Sequence, residues 1–199
     1  MFCLAEVYEI TFVVIDGLDA CGKTTQAYRL VDYLQSRQKS VCLRIHPSDD
    51  NLLGRYAKRF LQSEGRNAHF TSALFYMLDV IHSVLKYSWR AKDYIVFVRY
   101  LLGTAYLPAP VDVFAYHFFA TLVPKPEKTL YIDIEPDVAA RRIRSRTQDT
   151  IEMFEKPEEL RKMRQKGLAL ASLGKWRIIL GNRALVDVES DIHRALGLK

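Results

Sequence analysis

Cysteine is scarce in this sequence, and its spacing argues against two classes of site. The 199 residues include three cysteines, Cys3, Cys21 and Cys42. They are odd in number and far apart along the chain, whereas zinc sites and disulfide frameworks use closely paired or even-numbered cysteines. We therefore expect reduced thiols, with neither a zinc site nor a disulfide framework.

A long apolar run and a basic leader are also missing. The longest apolar windows are strand-sized or interrupted by charge, and residues 1–10 carry Glu6 and Glu9 where a leader would be basic. A membrane-spanning helix needs about 20 consecutive apolar residues, and a secretory leader begins with positive charge. These features predict a cytoplasmic protein that has no membrane partner.

Positive charge is in excess. The chain has 29 Lys and Arg against 23 Asp and Glu, for a net charge of +6. Such a balance suits an anionic ligand, which could be either nucleotide phosphates or a nucleic-acid backbone. Because the sequence shows no helix-turn-helix or zinc-finger pattern, we do not expect a nucleic-acid partner.

Strand-like and helix-like segments alternate along the chain. The pattern predicts strands at 11–15, 41–45, 94–98 and 129–134, and helices at 23–37, 51–63, 69–89, 111–122, 136–144, 158–172 and 191–196. Residues 177–180 and 184–188 both fit a last strand, and the sequence does not decide between them. This alternation predicts one three-layer α/β domain, spanning residues 1–199, with a parallel sheet.

A polar, charged connector around residues 144–157 joins two predicted helices and is a candidate mobile lid.

The predicted helix at 69–89 has an apolar stripe along one side. Its residues are Leu74, Met77, Leu78, Ile81 and Leu85.

A glycine-rich loop joins the first strand to the first helix. Gly17 is followed, after four residues, by Gly22-Lys23-Thr24, a spacing typical of loops that wrap phosphates. Glycines allow backbone N–H groups to turn toward phosphate oxygens, and the helix N-terminus adds positive potential. We predict a nucleoside triphosphate site formed by Gly17, Leu18, Asp19, Ala20, Cys21, Gly22, Lys23 and Thr24.

Two side chains of this loop are suited to phosphoryl transfer. We expect Lys23 to bridge the outer phosphates, as a catalytic residue, and the Thr24 hydroxyl to hold Mg²⁺. Thr25 extends the ATP-binding segment, and Asp16, just before the loop, is a second candidate metal ligand. Cys21 is either a reactive thiol near a helix N-terminus or a small residue that fills space.

The sequence resembles the thymidylate kinase family. Residues 16–26, D-G-L-D-A-C-G-K-T-T-Q, are similar to the family's phosphate loop, which typically reads E-G-x-D-G-x-G-K-T-T-Q. Residues 129–143 are similar to the family's fourth strand and following helix. The resemblance runs from residue 11 to about residue 172, which makes it far more specific than the loop alone.

This resemblance implies a reaction and a fold. The reaction is transfer of the ATP γ-phosphoryl group, with Mg²⁺ as cofactor, to a nucleoside monophosphate, most directly thymidylate (dTMP). The fold is a P-loop NTPase fold with a five-stranded parallel sheet flanked by helices. The family also implies a homodimer formed by helices beside the sheet, although no helix in this sequence is singled out as the interface.

The lid and the helix before it are expected to supply cations. In the bacterial kind of family member, cationic lid residues compensate for a phosphate loop that lacks arginine, and this loop has none. By resemblance, Arg142 is a candidate to hold ATP, and Arg144 and Arg146 are candidates to stabilise the transferring group, with Arg146 the predicted catalytic residue. The alternative is a solvated basic helix face.

The acceptor site is also assigned by resemblance, to Asp19, Arg55, Phe75, Arg99 and Tyr100. Arg99 is expected to clamp the acceptor phosphate and to take part in catalysis, because ligand crevices form at strand C-termini; alternatively it pairs with a neighbouring carboxylate. Asp19 either contacts the acceptor sugar or caps its own turn. Arg55 either binds the acceptor phosphate or is an exposed helix charge.

The chain departs from the family at several acceptor-side positions. Val98-Arg99-Tyr100 stands where the family has Asp-Arg-Tyr, so either Asp16 or Asp19 takes over the carboxylate's role or turnover is slow. Gly103 and Leu107 align with the usual Ser and with the Gln that reads thymine. These losses leave open a kinase of another nucleotide or small phosphorylated metabolite, or a nucleotide-binding protein with weak or no catalysis.

A histidine also differs from the family. His46 stands where the family has the glutamate of Arg-Glu-Pro, and we expect it to be a loop residue without chemistry.

Overall fold

Helices and strands alternate through the computed structural model, which describes residues 10–61, 66–87, 92–146 and 157–198. For residues 66–69 and 146 only the backbone is described. The elements are β1 (Thr11–Gly17), α1 (Lys23–Ser36), β2 (Val41–Ile45), α2 (Leu52–Leu61), α3 (Arg66–Tyr87), β3 (Tyr94–Val98), a 3-10 helix (Leu101–Tyr106), α4 (Val111–Leu122), β4 (Lys128–Asp133), α5 (Pro136–Arg146), α6 (Pro157–Leu173), β5 (Arg177–Leu180) and α7 (Leu185–Leu196).

The five strands form one parallel sheet in the order β2-β3-β1-β4-β5. β1 is central, and its residues 12–16 are buried, as expected for a strand covered on both faces. The five-stranded parallel sheet flanked by helices confirms the predicted fold class.

Two apolar cores lie on opposite faces of the sheet. Val13 and Ile15 of β1 face a core completed by α1, α5 and α7. Phe12 and Val14 face the other core, which is completed by α2, α3 and α4. α6 contributes to both cores. The period-2 alternation of strand side chains therefore decides which core each β1 residue enters.

The last strand is β5, at Arg177–Leu180. The alternative segment, 184–188, lies mostly in α7, which begins at Leu185 and is therefore longer than the predicted helix at 191–196. Val188 and Ile192, one helical turn apart, are its buried residues. A four-residue apolar strand and the first turn of an amphipathic helix have similar sequence patterns, which is why both segments fitted a strand.

The apolar stripe of α3 faces outward over most of its length. Leu74, Leu78 and Leu85 are 48%, 38% and 65% exposed, whereas Met77 is buried. Met77 is the buried member of the stripe, and it fills the core together with four other α3 residues, Ala73, Tyr76, Val80 and Val84. Within the described residues, no helix combines the length and apolar character needed to cross a bilayer.

Candidate active site

The glycine-rich loop lies at the carboxyl end of the central strand. Gly17 has φ +151°, and a Cβ there would lie 2.8 Å from the Cys21 sulfur and closer still to the Ile132 carbonyl oxygen, so the loop requires glycine at this position. Cys21 is itself buried, and burial raises the pKa of its thiol. Of the two alternatives for Cys21, the structure therefore favours the space-filling one.

Lys23 turns its ammonium back toward the loop. Its Nζ donates to the carbonyl oxygens of Gly17 at 3.2 Å and Leu18 at 3.0 Å, and to Oδ1 of Asp19 at 3.3 Å. Lys23 is 5% exposed, so these three acceptors replace water around a buried charge.

Asp19 joins residues from two distant parts of the chain. Its Oδ1 accepts from Lys23 and from the Arg99 guanidinium, and its Oδ2 accepts from the Tyr106 hydroxyl at 3.0 Å. Burial alone would raise the pKa of Asp19, but the charges of Arg99 and Lys23 outweigh burial and hold that pKa well below its usual range. One carboxylate therefore holds a cation from the phosphate loop and a cation from the end of β3.

Arg99 follows β3 in a left-handed backbone conformation, with φ +64°. Non-glycine residues adopt this conformation only where their surroundings hold them in it. Arg99 donates to Asp19 and to the His46 carbonyl oxygen at 3.3 Å. The sequence alternative in which Arg99 pairs with a neighbouring carboxylate describes this arrangement. The Arg99 side chain is 25% exposed.

Asp16 and Val98 point to opposite faces of the sheet. Val98 pairs in register with Ile15 and is fully buried in the core beside α1. Asp16 is the next residue of β1, and its carboxylate accepts from the backbone N–H of Gly17 at 2.8 Å and of Tyr100 at 3.1 Å. Burial raises the pKa of Asp16. Asp16 therefore lies beside the strand ends but on the other face from the Val98 side chain.

Arg142 of α5 reaches the outer side of the phosphate loop. Its guanidinium donates to the carbonyl oxygens of Ala20 at 3.2 Å and Cys21 at 3.5 Å, and to that of Gly181 at 3.4 Å. The structure thus brings this predicted ATP-binding residue to the loop. The structure also shows that Arg142 contacts Gly181, in the connection between β5 and α7. The sequence around Gly181 has no motif that predicts this contact.

Several predicted acceptor residues have side chains that make no hydrogen bond to Asp19 in the described part of the chain. Arg55 is exposed on α2. Phe75 stacks on Phe60, with ring centroids 5.7 Å apart, and so packs between α3 and α2. The Tyr100 ring is buried in the core, where its hydroxyl donates to the Pro124 carbonyl oxygen. Their roles in binding an acceptor stay predictions.

The lid lies mostly outside the described residues. Arg144 is exposed in the last turns of α5, and of Arg146 only the backbone is described. The roles of Arg144 and Arg146 in catalysis stay predictions.

Comparison with known proteins identifies the family. The family model described as thymidylate kinase matches residues 15–192. The chain belongs to the thymidylate kinase family. The resemblance seen in the sequence is thereby confirmed.

Relatives of this family match nearly the whole chain. A probable thymidylate kinase of Metallosphaera sedula is 30% identical, covering 91% of this chain and 89% of that relative. A thymidylate kinase of Plasmodium falciparum is 26% identical, covering 91% and 87%. The solved structure of Candida albicans thymidylate kinase shares the fold, with a TM-score of 0.71 and 17% identity over 94% of this chain and 91% of that one.

Two positions where this family member departs from the usual pattern have a structural explanation. Leu107 is buried against Ala73 and Ala115, between α3 and α4. Gly103 lies against the Tyr76 ring, so tightly that any Cβ at 103 would clash with it. The Tyr76 hydroxyl in turn donates to the Tyr100 carbonyl oxygen at 2.7 Å. A tyrosine from α3 therefore occupies the space that a larger residue at 103 would need.

Proposed function

We propose that this protein transfers the γ-phosphoryl group of ATP to dTMP, forming dTDP and ADP. The observation that carries the proposal is the convergence of Lys23, from the phosphate loop, and Arg99, from the end of β3, on one carboxylate. Family relatives named thymidylate kinase support dTMP as the acceptor. A cytoplasmic location is part of the proposal, because ATP and nucleoside monophosphates are available there.

The two cations serve the two ends of the reaction. Lys23 binds the outer phosphates of ATP, and Arg99 clamps the phosphate of the acceptor. An oxygen of the acceptor phosphate then bonds to the γ-phosphorus while the bond from that phosphorus to the bridging oxygen breaks, leaving ADP. Arg142, braced on the loop carbonyls, holds the donor side.

The start of α1 fits a magnesium ligand. The Thr24 side chain is partly exposed in the first turn of α1, and its hydroxyl makes no hydrogen bond to a described residue. Thr24 would hold Mg²⁺, with Asp16 as a second candidate, and the metal supplies neutralisation of the phosphate charge that builds up during transfer. The Asp16 oxygens already accept two backbone hydrogen bonds, which favours Thr24 as the direct ligand.

A coupled assay tests the proposal. Purified protein with Mg²⁺·ATP should produce nucleoside diphosphate from dTMP faster than from the other monophosphates in a panel. Lys23→Ala should lower kcat by about a hundredfold or more, because it removes one preorganised cation from the transferring group. Lys39→Ala, which removes an exposed lysine that pairs with Asp93, is the matched control and should leave kcat unchanged. Absence of diphosphate from every monophosphate would refute the proposal.

We also propose that the outward stripe of α3 is a homodimer interface. Leu74, Leu78 and Leu85 expose apolar surface in a row on one helix, and Phe70 extends the row at 55% exposure. An apolar patch of this kind is typical of a protein–protein contact.

A charge placed in the stripe tests this interface. Leu78→Lys should convert a dimer to a monomer in analytical ultracentrifugation, because the lysine would bury its charge at the interface. The matched control is Val186→Lys, an exposed position on α7, which should leave the dimer intact. If the Leu78→Lys protein remains a dimer, this interface is refuted.

A further inference from the structure

His46 is a buried residue that the reaction described above does not use. It directly follows β2 and is fully buried, and its ring lies 5.0 Å from the Phe97 ring between centroids. Fully buried histidines are uncommon, and their ring nitrogens need partners. The partners of His46 therefore show what holds it there.

Three hydrogen bonds connect His46 to the end of β3. Its backbone N–H donates to the Val98 carbonyl oxygen at 3.0 Å. Its ring Nδ1 lies 3.2 Å from the Arg99 carbonyl oxygen. The Arg99 guanidinium donates to the His46 carbonyl oxygen at 3.3 Å. His46 and Arg99 thus hold one another through both backbone and side chain.

The ring contact fixes the tautomer of His46. A carbonyl oxygen can only accept, so Nδ1 must carry the proton. Burial lowers the pKa of His46 to about 4, and the ring is therefore neutral near pH 7, with a single N–H. Nε2 is then an acceptor, and among the described residues it has no hydrogen-bond partner.

The loop that follows β2 is anchored independently. Asp79 of α3 is fully buried and accepts from the Ser48 backbone N–H at 2.7 Å and from the Ser48 hydroxyl at 2.6 Å. Asn51 donates to the same carboxylate at 2.7 Å. His46 is therefore attached to a fixed loop, and its ring can act as a rigid support for the residue it contacts.

Arg99 needs such a support. Its left-handed backbone is held only by its surroundings, and its carbonyl oxygen is the group that the His46 ring contacts. We propose that His46 is a positioning residue, whose Nδ1–H holds the Arg99 backbone in the conformation from which the guanidinium reaches the acceptor phosphate. The effect on turnover that this inference predicts rests on the proposed function.

Three substitutions of His46 separate this role from packing. Asn places an amide N–H near the position of Nδ1, Gln places its amide near Nε2, and Leu has no polar atom. His46→Asn should keep kcat/KM for dTMP within about threefold of the wild type. His46→Gln and His46→Leu should lower it roughly tenfold, the value of one lost hydrogen bond, with KM for ATP unchanged. If His46→Leu fails to fold, the Asn and Gln variants still provide the comparison.

Two results would overturn the inference. One is an equal loss of kcat/KM for dTMP in the Asn and Gln variants. The other comes from ¹⁵N NMR of the histidine rings in the wild-type protein, where His46 should show the Nδ1–H tautomer and an Nε2–H tautomer would contradict the proposed contact. Because the NMR result does not depend on turnover, it tests the Nδ1–H contact with the Arg99 carbonyl oxygen even if no monophosphate is phosphorylated.

Discussion

At the scale of single residues, Asp19 makes stability depend on pH. Its pKa in the folded protein lies below the ordinary value of 3.8, so its ion pairs contribute stability that is fully present above that value and is lost as the pH falls below it. Asp19→Asn should therefore lower the free energy of unfolding at pH 7, by about 2 kcal/mol. Urea unfolding at pH 7, 5 and 3 measures this difference, which should shrink toward pH 3.

A matched carboxylate provides the control. Asp137 pairs with Arg161, but its side chain is 73% exposed, and exposed pairs of this kind contribute little. Asp137→Asn should change the free energy of unfolding by less than about 0.5 kcal/mol at every pH. A loss in Asp19→Asn that stayed constant from pH 7 to pH 3 would contradict the pKa argument.

Residue-scale prediction from sequence is strongest where the pattern is local. The glycine-rich loop stands out because glycines, lysine and threonine occur at fixed spacing, and the structure places it between β1 and α1 as the spacing predicts. Tyr106, which reaches Asp19 across 87 residues of sequence, carries no such spacing. For His46 the sequence indicates no chemistry, and its contacts with Arg99 become visible only when the fold places β2 beside β3.

At the scale of elements, hydrophobic spacing predicted helices better than it predicted their buried faces. The bounds of β2, β3 and α4 agree with those predicted. In α3, apolar residues occupy both the inward and the outward face, so periodicity showed a helix but could not identify which face packs on the sheet. The 3-10 helix was not predicted, because six residues give too short a pattern.

The end of β3 provides a test of the Val98 substitution. Because Val98 is fully buried in the core beside α1, a carboxylate there would lose its water. Val98→Asp should therefore lower the free energy of unfolding by about 3 kcal/mol or more at pH 7. Chemical denaturation measures this loss, which should lessen as acid protonates the new carboxyl group.

An uncharged variant of the same size isolates the contribution of charge. Val98→Asn should lose less stability than Val98→Asp at pH 7, and the two variants should converge in acid. Equal losses at pH 7 would show that shape and not charge burial sets the cost at this position.

At the scale of the whole molecule, the order of strands could not be taken from hydrophobic patterns. Alternation of strands and helices predicts a parallel sheet. The central position of β1 depends on whether each connecting segment places the next strand on one side of β1 or on the other, and hydrophobic patterns do not show this. That order sets β3 directly beside β1 and so brings Arg99 to the phosphate loop. The candidate site is thus a product of topology as much as of its motif.

The sharing of Asp19 by Lys23 and Arg99 has a thermodynamic consequence. A phosphate that draws one of these cations away from the carboxylate leaves the other more strongly held, because the carboxylate then balances a single positive charge. Reciprocity requires the effect to be the same in either direction. Isothermal titration calorimetry should show dTMP binding about fivefold or more weakly when ADP is present, and Asp19→Asn should relieve that loss. Independent binding in the wild type would contradict it. With such linkage, each nucleotide lowers the affinity of the other, which favours release of the two products after transfer.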